Sequence, residues 1–431
     1  MTPAPNRRPA RVAVLADTDS RWKWGMLTAR QLVPADGVDP YLLERPEPPS
    51  ARQLAEAGVA PDALVTVRMT GLAGVLARRR PDVLVLALPG GGTVSAVHAL
   101  AAGWPAAVRR PLLVTGYVGV VYEKVVEGLL ARSGTDIVLA NCTDDAERFR
   151  AVYAGLGLDP DVVVETSLPF LREAAPRERS GPFTVTFAGQ PSVPASHADR
   201  SYLVRRLVQH ARLHPGRVVN LKLRSVPGER VTHAEPHPYH ALLRRAPGEL
   251  PANLRITVGD MGEALAATDL LVTVSSTAAL EAMSLGVPTV LLTDFGVRES
   301  LGNAYFSGSG CLASFDEVDA GATPAVDPAW ARRHGVGGPG PGNLVDRVTA
   351  LLETEPAPLR PYYTAERSPA YLPGLLASYG LGPDGRAARL GPSGDGQAAR
   401  MVRKAIRSTA RSFYRSGTHV VAPALRKLGS L

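Results

Sequence analysis

Three consecutive hydroxyls, Ser275, Ser276 and Thr277, stand between a β-branched apolar run at 270–274 and a short helical pattern at 278–285. Glu281 follows Thr277 by four residues, which puts both on one helix face about 6 Å apart. Hydroxyls and unpaired N–H groups at a helix start suit an anion. The turn therefore predicts a cradle for a nucleoside mono- or diphosphate, with Glu281 near a ribose. Plain capping is the competing use of these residues. The residue three beyond Thr277 is Leu280, however, not the acid of a reciprocal capping box, and three hydroxyls exceed what one cap needs.

A second cluster follows the first apolar run of the chain: Asp17-Thr18-Asp19-Ser20-Arg21-Trp22-Lys23-Trp24. A carboxylate there suits deprotonation of an acceptor hydroxyl, and aromatic faces suit sugar stacking. Asp17 and Asp19 are candidate general bases, with Trp22, Lys23 and Trp24 on the acceptor side. A polar turn that caps a helix over core tryptophans is the plainer alternative. Pro89-Gly90-Gly91-Gly92-Thr93 lets backbone approach a ligand at Gly91 and Gly92, although Ser95 stands where a dinucleotide turn has its third glycine. Tyr117 and Glu123, after the run 112–115, are further acceptor-side candidates. Gly189 permits close approach and Gln190 offers an amide after the run 184–188. Lys222 and Arg224 end another run, and arginine can clamp phosphate with two parallel bonds.

These residues must be positioned by elements, and the elements alternate. Continuous apolar runs at 11–16, 83–88, 112–115, 137–140 and 162–166 read as buried parallel strands, with helical patterns at 66–79, 93–101, 122–132 and 144–155 between them. A polar stretch at 172–181 reads as a linker. A second series follows: strands 184–188, 218–223, 255–258, 270–274 and 289–292, and helices 200–213, 262–267 and 343–353. The expected fold class is α/β, two Rossmann-like doubly wound domains facing a cleft. The expected boundaries are 1–170, 181–355 and an extension at 356–431, within which 380–396 is low-complexity and disordered.

The segment SSTAALEAMSLGVPTVLL resembles the donor-nucleotide segment of GT-B-fold glycosyltransferases, and more distantly that of bacterial sialyltransferases and polysialyltransferases. The whole chain resembles a bacterial family labelled simply as glycosyltransferases. The resemblance implies donor phosphate at Ser275, Ser276 and Thr277 and donor ribose at Glu281. It also implies a base from the first domain and a small-residue turn over the donor at Gly189 and Gln190. The sialyltransferase-like groups carry Lys-x-His-Pro where this chain has Lys222-Leu223-Arg224-Ser225, which argues against a CMP-linked donor. The implied activity is sugar transfer from a nucleotide-activated donor to a glycan, lipid-linked or small-molecule acceptor, as in cell-surface polysaccharide synthesis. A nucleotide-sugar 2-epimerase, a polyol-phosphate transferase or a non-catalytic nucleotide-sugar binder of related fold is the alternative.

The residues exclude other chemistries. No P-loop, nucleophile elbow or Cys-x-x-Cys pair occurs. Cys142 and Cys311 lack metal spacing and suit a reducing compartment. The prolines in HAEPHPYH (233–240) prevent a helical ligand face, and Asp17-Thr18-Asp19 sits in the wrong setting for a metal motif, so neither metal nor cofactor is expected. The formal charge is +8. Arg400, Arg403, Lys404, Arg407, Arg411, Arg415, Arg426 and Lys427 account for that surplus, with no acid from 396 to 431. Met401, Val402, Ala405, Ile406, Thr409 and Phe413 have helical spacing, with arginines on the remaining faces, so the tail predicts a basic amphipathic helix. Such a helix suits an anionic membrane surface through residues 400–427 or packing onto the first domain. Nucleic acid is not an expected partner, since aromatic interleaving is nearly absent. No apolar run reaches the length of a membrane span and no signal peptide is recognisable. The expected location is cytoplasmic, with the inner membrane face as a peripheral site.

Overall fold

The computed structural model describes residues 11–388 except 45–47, 57, 59–63, 122–123, 172–180, 225, 227–234, 236 and 338–341. Its first sheet comprises β1 (Val12–Ala16), β2 (Val38–Leu43), β3 (Val65–Val67), β4 (Val83–Ala87), β5 (Leu112–Thr115), β6 (Ile137–Ala140) and β7 (Val163–Glu165), in the order β3-β2-β1-β4-β5-β6-β7. The second comprises β8 (Thr184–Ala188), β9 (Val218–Lys222), β10 (Leu254–Thr257), β11 (Leu270–Thr273), β12 (Thr289–Leu292) and β13 (Leu312–Ala313), in the order β10-β9-β8-β11-β12-β13. Every pairing is parallel. Strands β1, β4, β5, β6, β11 and β12 are buried at every residue, as in VAVLA of β1 and VLVLA of β4. Parallel strands covered on both faces need such unbroken apolar runs, because helices pack on each side.

Strand order reverses between β1 and β4 in one sheet and between β8 and β11 in the other. At such a point the flanking helices leave to opposite faces and open a crevice beyond the strands' carboxyl ends. Register aligns the exits: Ala16 lies beside Ala87, and Phe187 beside Val272. A single buried cluster joins the halves, with Val14, Trp22 and Trp24 from one and Leu271, Ala279, Leu280 and Phe306 from the other.

Some elements differ from expectation. Residues 66–79 divide into edge strand β3, a 3-10 turn at Met69–Gly71 and a helix at Leu72–Arg79, because the β-branched triplet Val65-Thr66-Val67 pairs with β2. Strand β2 is obscured in sequence by Pro40, which cannot donate to the ladder, yet sits beside Val14. The helix Gly342–Leu352, expected to close the second half, packs against β5 and β7. There Asn343 Nδ2 donates to the Glu165 carbonyl and Arg347 Nη2 to that of Asp161, both at 3.2 Å. The return to the first half therefore precedes residue 356. Residues 381–388, expected to be disordered, form a turn: Leu381 is buried and bridges to Ala387. The predicted basic tail helix lies outside the described residues. Among the described residues, no helix is long and apolar enough to cross a membrane.

Candidate functional site

The carboxyl ends of both sheets border one cleft of about 510 Å3. Its walls come from the turns after β1, β5, β8, β9, β10 and β11, which is where doubly wound sheets collect ligands. A smaller cavity of about 250 Å3 shares Lys23, Phe170, Asp260 and Glu281 with it and continues between Met26, Leu27 and Leu285.

The turn after β1 separates its two aspartates. Thr18 caps the helix Asp19–Arg30, accepting from the Arg21 N–H. Asp17 precedes the cap, is 2% exposed and is held by Arg21 Nη1 at 2.7 Å. Asp19, in the first helical turn, lines the cleft and accepts from Arg224 Nη2 at 2.6 Å. Each carboxylate is thus engaged by a guanidinium. Lys23, one turn on, lines the cleft and pairs with Asp260 at 2.9 Å. Burial, the largest influence on Asp260, pushes its carboxyl up; Lys23 and the N–H groups of Gly262 and Glu263 outweigh that and hold it below the usual value.

Several acceptor-side expectations are corrected. Trp22 and Trp24 are each 1% exposed and belong to the core, because the helix seats one on each side of its contact with the sheet; neither offers a face to a sugar. Gly91 and Gly92 start the helix Gly90–Gly103 instead of forming a ligand turn. A Cβ on Gly91 would stand 2.9 Å from Leu375 Cδ1, and one on Gly92 3.2 Å from Tyr379 Oη, so these glycines admit the C-terminal helix Leu372–Ser378 and the tyrosine after it. Tyr117 turns from the cleft to pack on Phe149 beneath the Arg132 guanidinium, which is 3.9 Å from its ring centre. Burial raises its hydroxyl pKa. Val118, Gly119 and Val120 line the cleft in its place. Glu123 lies outside the described residues.

The second half brings its predicted residues together. Gly189, Gln190, Lys222, Arg224, Ser275, Ser276, Thr277 and Glu281 all line the cleft. Gln190 Oε1 accepts from the Ser275 N–H at 3.0 Å, and the Ser275 hydroxyl donates to the Leu301 carbonyl at 2.5 Å, so Ser275 shapes the turn. Ser276 Oγ accepts from the Ala278 N–H at 3.2 Å. Thr277 occupies the cap position of the helix Ala278–Ser284 without a side-chain capping bond. Its hydroxyl meets the first half instead: a Cβ on Gly119 would fall 2.7 Å from Oγ1. Gly286, at φ 67°, stops the helix, with its own N–H and that of Val287 returning to Met283 and Ala282. Lys222 is buried, and its Nζ donates to the carbonyls of Gly259 (2.6 Å) and Leu223 (3.2 Å). Arg224 bridges the halves through Asp19 and Ser20.

Sequence reasoning missed Asp260, Gly119 and Phe170. Asp260 was findable, since Gly259-Asp260 follows β10 and caps the helix Met261–Ala266 by the same edge rule. Among the described residues, one group, His210, His214 and Asp319, brings possible metal-ligating atoms within 4.8 Å of one another. Asp319 already accepts from Arg206 at 2.8 Å and from His210 Nδ1 at 2.7 Å. This network sits at the opposite end of the helix His197–Leu213 from the cleft turn.

Two doubly wound sheets whose switch points share a cleft define the GT-B class of α/β proteins. Two solved structures carry the likeness at TM-score 0.50. One is UDP-GlcNAc 2-epimerase from Methanocaldococcus jannaschii, 11% identical, covering 80% of this chain and 99% of its own. The other is Arabidopsis thaliana UGT89C1 complexed with UDP, 10% identical with the same coverage. A family model described as "Putative glycosyltransferase (DUF6716)" matches residues 12–351, and the chain belongs to that family. No curated protein matches it.

Proposed function

We propose that the cleft binds a nucleotide-activated sugar and transfers the sugar to an acceptor hydroxyl. The observation that supports this reading is the convergence of Lys23, Arg224, Gln190, Ser276, Thr277 and Glu281 on one cleft at both switch points. Arg224, Lys23 and the hydroxyl turn neutralise the departing phosphate, and Glu281 takes the ribose. Asp19 removes the acceptor proton in preference to Asp17, which lies beneath the turn. Negative charge on the donor draws Arg224 from Asp19 and so frees that carboxylate. The acceptor, a glycan, lipid-linked or small molecule, enters by the smaller cavity, whose walls include apolar Met26, Leu27, Phe170 and Leu285. Phosphate neutralisation rests on these cations and needs no metal. The membrane reading of residues 400–427 stands as a proposal of the sequence.

A thermal-shift screen against UDP, GDP, TDP, CDP and CMP, with and without magnesium, tests the reading. A nucleotide at 100 times its dissociation constant stabilises by about 2.7 kcal/mol. A shift that persists with chelator supports it, and absence of any shift overturns it. Incubating the matching nucleotide sugar without acceptor then separates transfer from epimerisation, because an epimerase of the same fold converts donor alone.

A further inference from the structure

Arg200 lines no part of the cleft, yet its side chain organises one wall. The residue is 0% exposed and stands in the first turn of the helix His197–Leu213. Its Nη1 donates to the carbonyls of Gln190 and Pro191, each at 3.0 Å, and of Pro194 at 3.3 Å. Nη2 donates to Glu235, and the guanidinium lies 3.9 Å from the centre of the Tyr239 ring. Removing a guanidinium from water is costly unless the surroundings supply acceptors. Here the acceptors are backbone carbonyls of a turn whose Pro191 and Pro194 carry no N–H to form a regular ladder.

The contacts continue to the cleft. The Tyr239 ring backs Gly189, where a Cβ would sit 3.1 Å from the ring edge. Gln190, whose carbonyl Arg200 holds, accepts the Ser275 N–H on its side-chain oxygen. One unbroken chain of bonds therefore runs from Arg200 through the 189–194 turn and the Gln190 amide to the hydroxyl turn.

We propose that Arg200 is a positioning residue of the nucleotide site, presetting the 189–194 turn so that Gln190 holds the Ser275–Thr277 turn in its binding geometry. This rests on the nucleotide reading above. The long flexible ammonium of lysine cannot reproduce three bonds from one planar nitrogen set. Glu235, whose carboxyl burial pushes up against the opposing pull of Arg200, accepts from Nη2 on the other side of the guanidinium and takes no part in the Nη1 carbonyl contacts.

The test compares Arg200→Lys, Glu235→Gln, Gln190→Ala and the double variant Arg200→Lys/Gln190→Ala. Amide hydrogen exchange at Gly189 in the first turn and at Ser275 and Ser276 in the second, whose N–H groups are hydrogen-bonded, needs no ligand, and UDP titration reads affinity. Arg200→Lys is expected to speed exchange at least tenfold in both turns and to weaken UDP binding by tenfold or more. Glu235→Gln should change affinity less than threefold, and the double variant should match Arg200→Lys within threefold. Gln190→Ala covers the case in which Arg200→Lys does not fold. It should loosen 275–276 while the Gly189 amide, which donates to the Lys222 carbonyl, stays protected. Unchanged exchange at Ser275 and Ser276 in Arg200→Lys or in Gln190→Ala, or additive losses in the double, overturns the proposal. Wild-type protein that ignores UDP and the other nucleotides sinks the nucleotide reading instead, and exchange alone then decides whether Arg200 orders both turns.

Discussion

Gly25 faces β1 and β4 from the middle of the helix that carries Asp19 and Lys23. A Cβ there would lie 2.7 Å from Val14 Cγ1 and 2.9 Å from Ala87 Cβ, against about 3.5–4.0 Å for an ordinary carbon contact. Val14 is β-branched within a buried strand and Ala87 has no rotamer to change, so neither yields cheaply. Overpacking of this kind costs about 1–3 kcal/mol, and the two rigid neighbours place Gly25→Ala in the upper part of that range. The alanine also returns about 1 kcal/mol of helix propensity, leaving a net loss of about 1–2 kcal/mol. Gly74 is the internal control. It is an exposed helical glycine whose Cβ would meet nothing closer than Arg78 Nη1 at 3.8 Å, so Gly74→Ala should stabilise by up to about 1 kcal/mol. Equilibrium urea unfolding, followed by fluorescence of the buried Trp22 and Trp24, measures both. The same substitution should have opposite signs at the two sites. A Gly25→Ala protein as stable as Gly74→Ala would refute the packing argument for the base of the cleft.

Asp17→Asn should destabilise by about 1–3 kcal/mol by loosening a buried bond to Arg21, whereas Asp19→Asn, at a partly exposed pair, should move stability by no more than about 1 kcal/mol while abolishing transfer. Melting temperature and turnover measured together check this, and full activity in Asp19→Asn removes it as the base. Burial, opposed by Asp319 at His210 and by the Tyr363 carbonyl at His98, holds both imidazoles below the ordinary 6.5. Their folded pKa values are depressed, so the neutral forms favour folding. That stability is fully present above pH 6.5 and is lost as pH falls through the folded values. Melting temperature should decline below pH 6.5, and His210→Gln should flatten the decline; an unchanged slope counts against the buried-histidine account.

Much of the fold was legible because burial of a parallel strand is a local, continuous pattern. The runs at 112–115, 137–140, 184–188 and 289–292 coincide with β5, β6, β8 and β12. The cleft-lining residues of the second half were legible for a related reason, since the carboxyl end of each strand can be read from where its apolar run stops. Edge strands β3 and β13 were not, because two or three residues carry no period and their stability comes from a neighbour distant in sequence.

The sequence by itself determined the alternation of elements, the two doubly wound halves and the turns after β1, β5, β8, β9 and β11 as cleft turns. Tertiary structure alone decided which side chain of each turn faces inward. Asp17 and Asp19 differ by two positions, and the helix beginning at Asp19 buries one while presenting the other to Arg224, 205 residues away. Trp22 and Trp24 went to the core because that helix packs on the switch-point strands, and Gly91 and Gly92 went beneath a helix that returns from the far end of the chain. Local sequence sets backbone preference and the order of polar and apolar residues; the direction of a side chain is fixed by partners that folding brings from elsewhere.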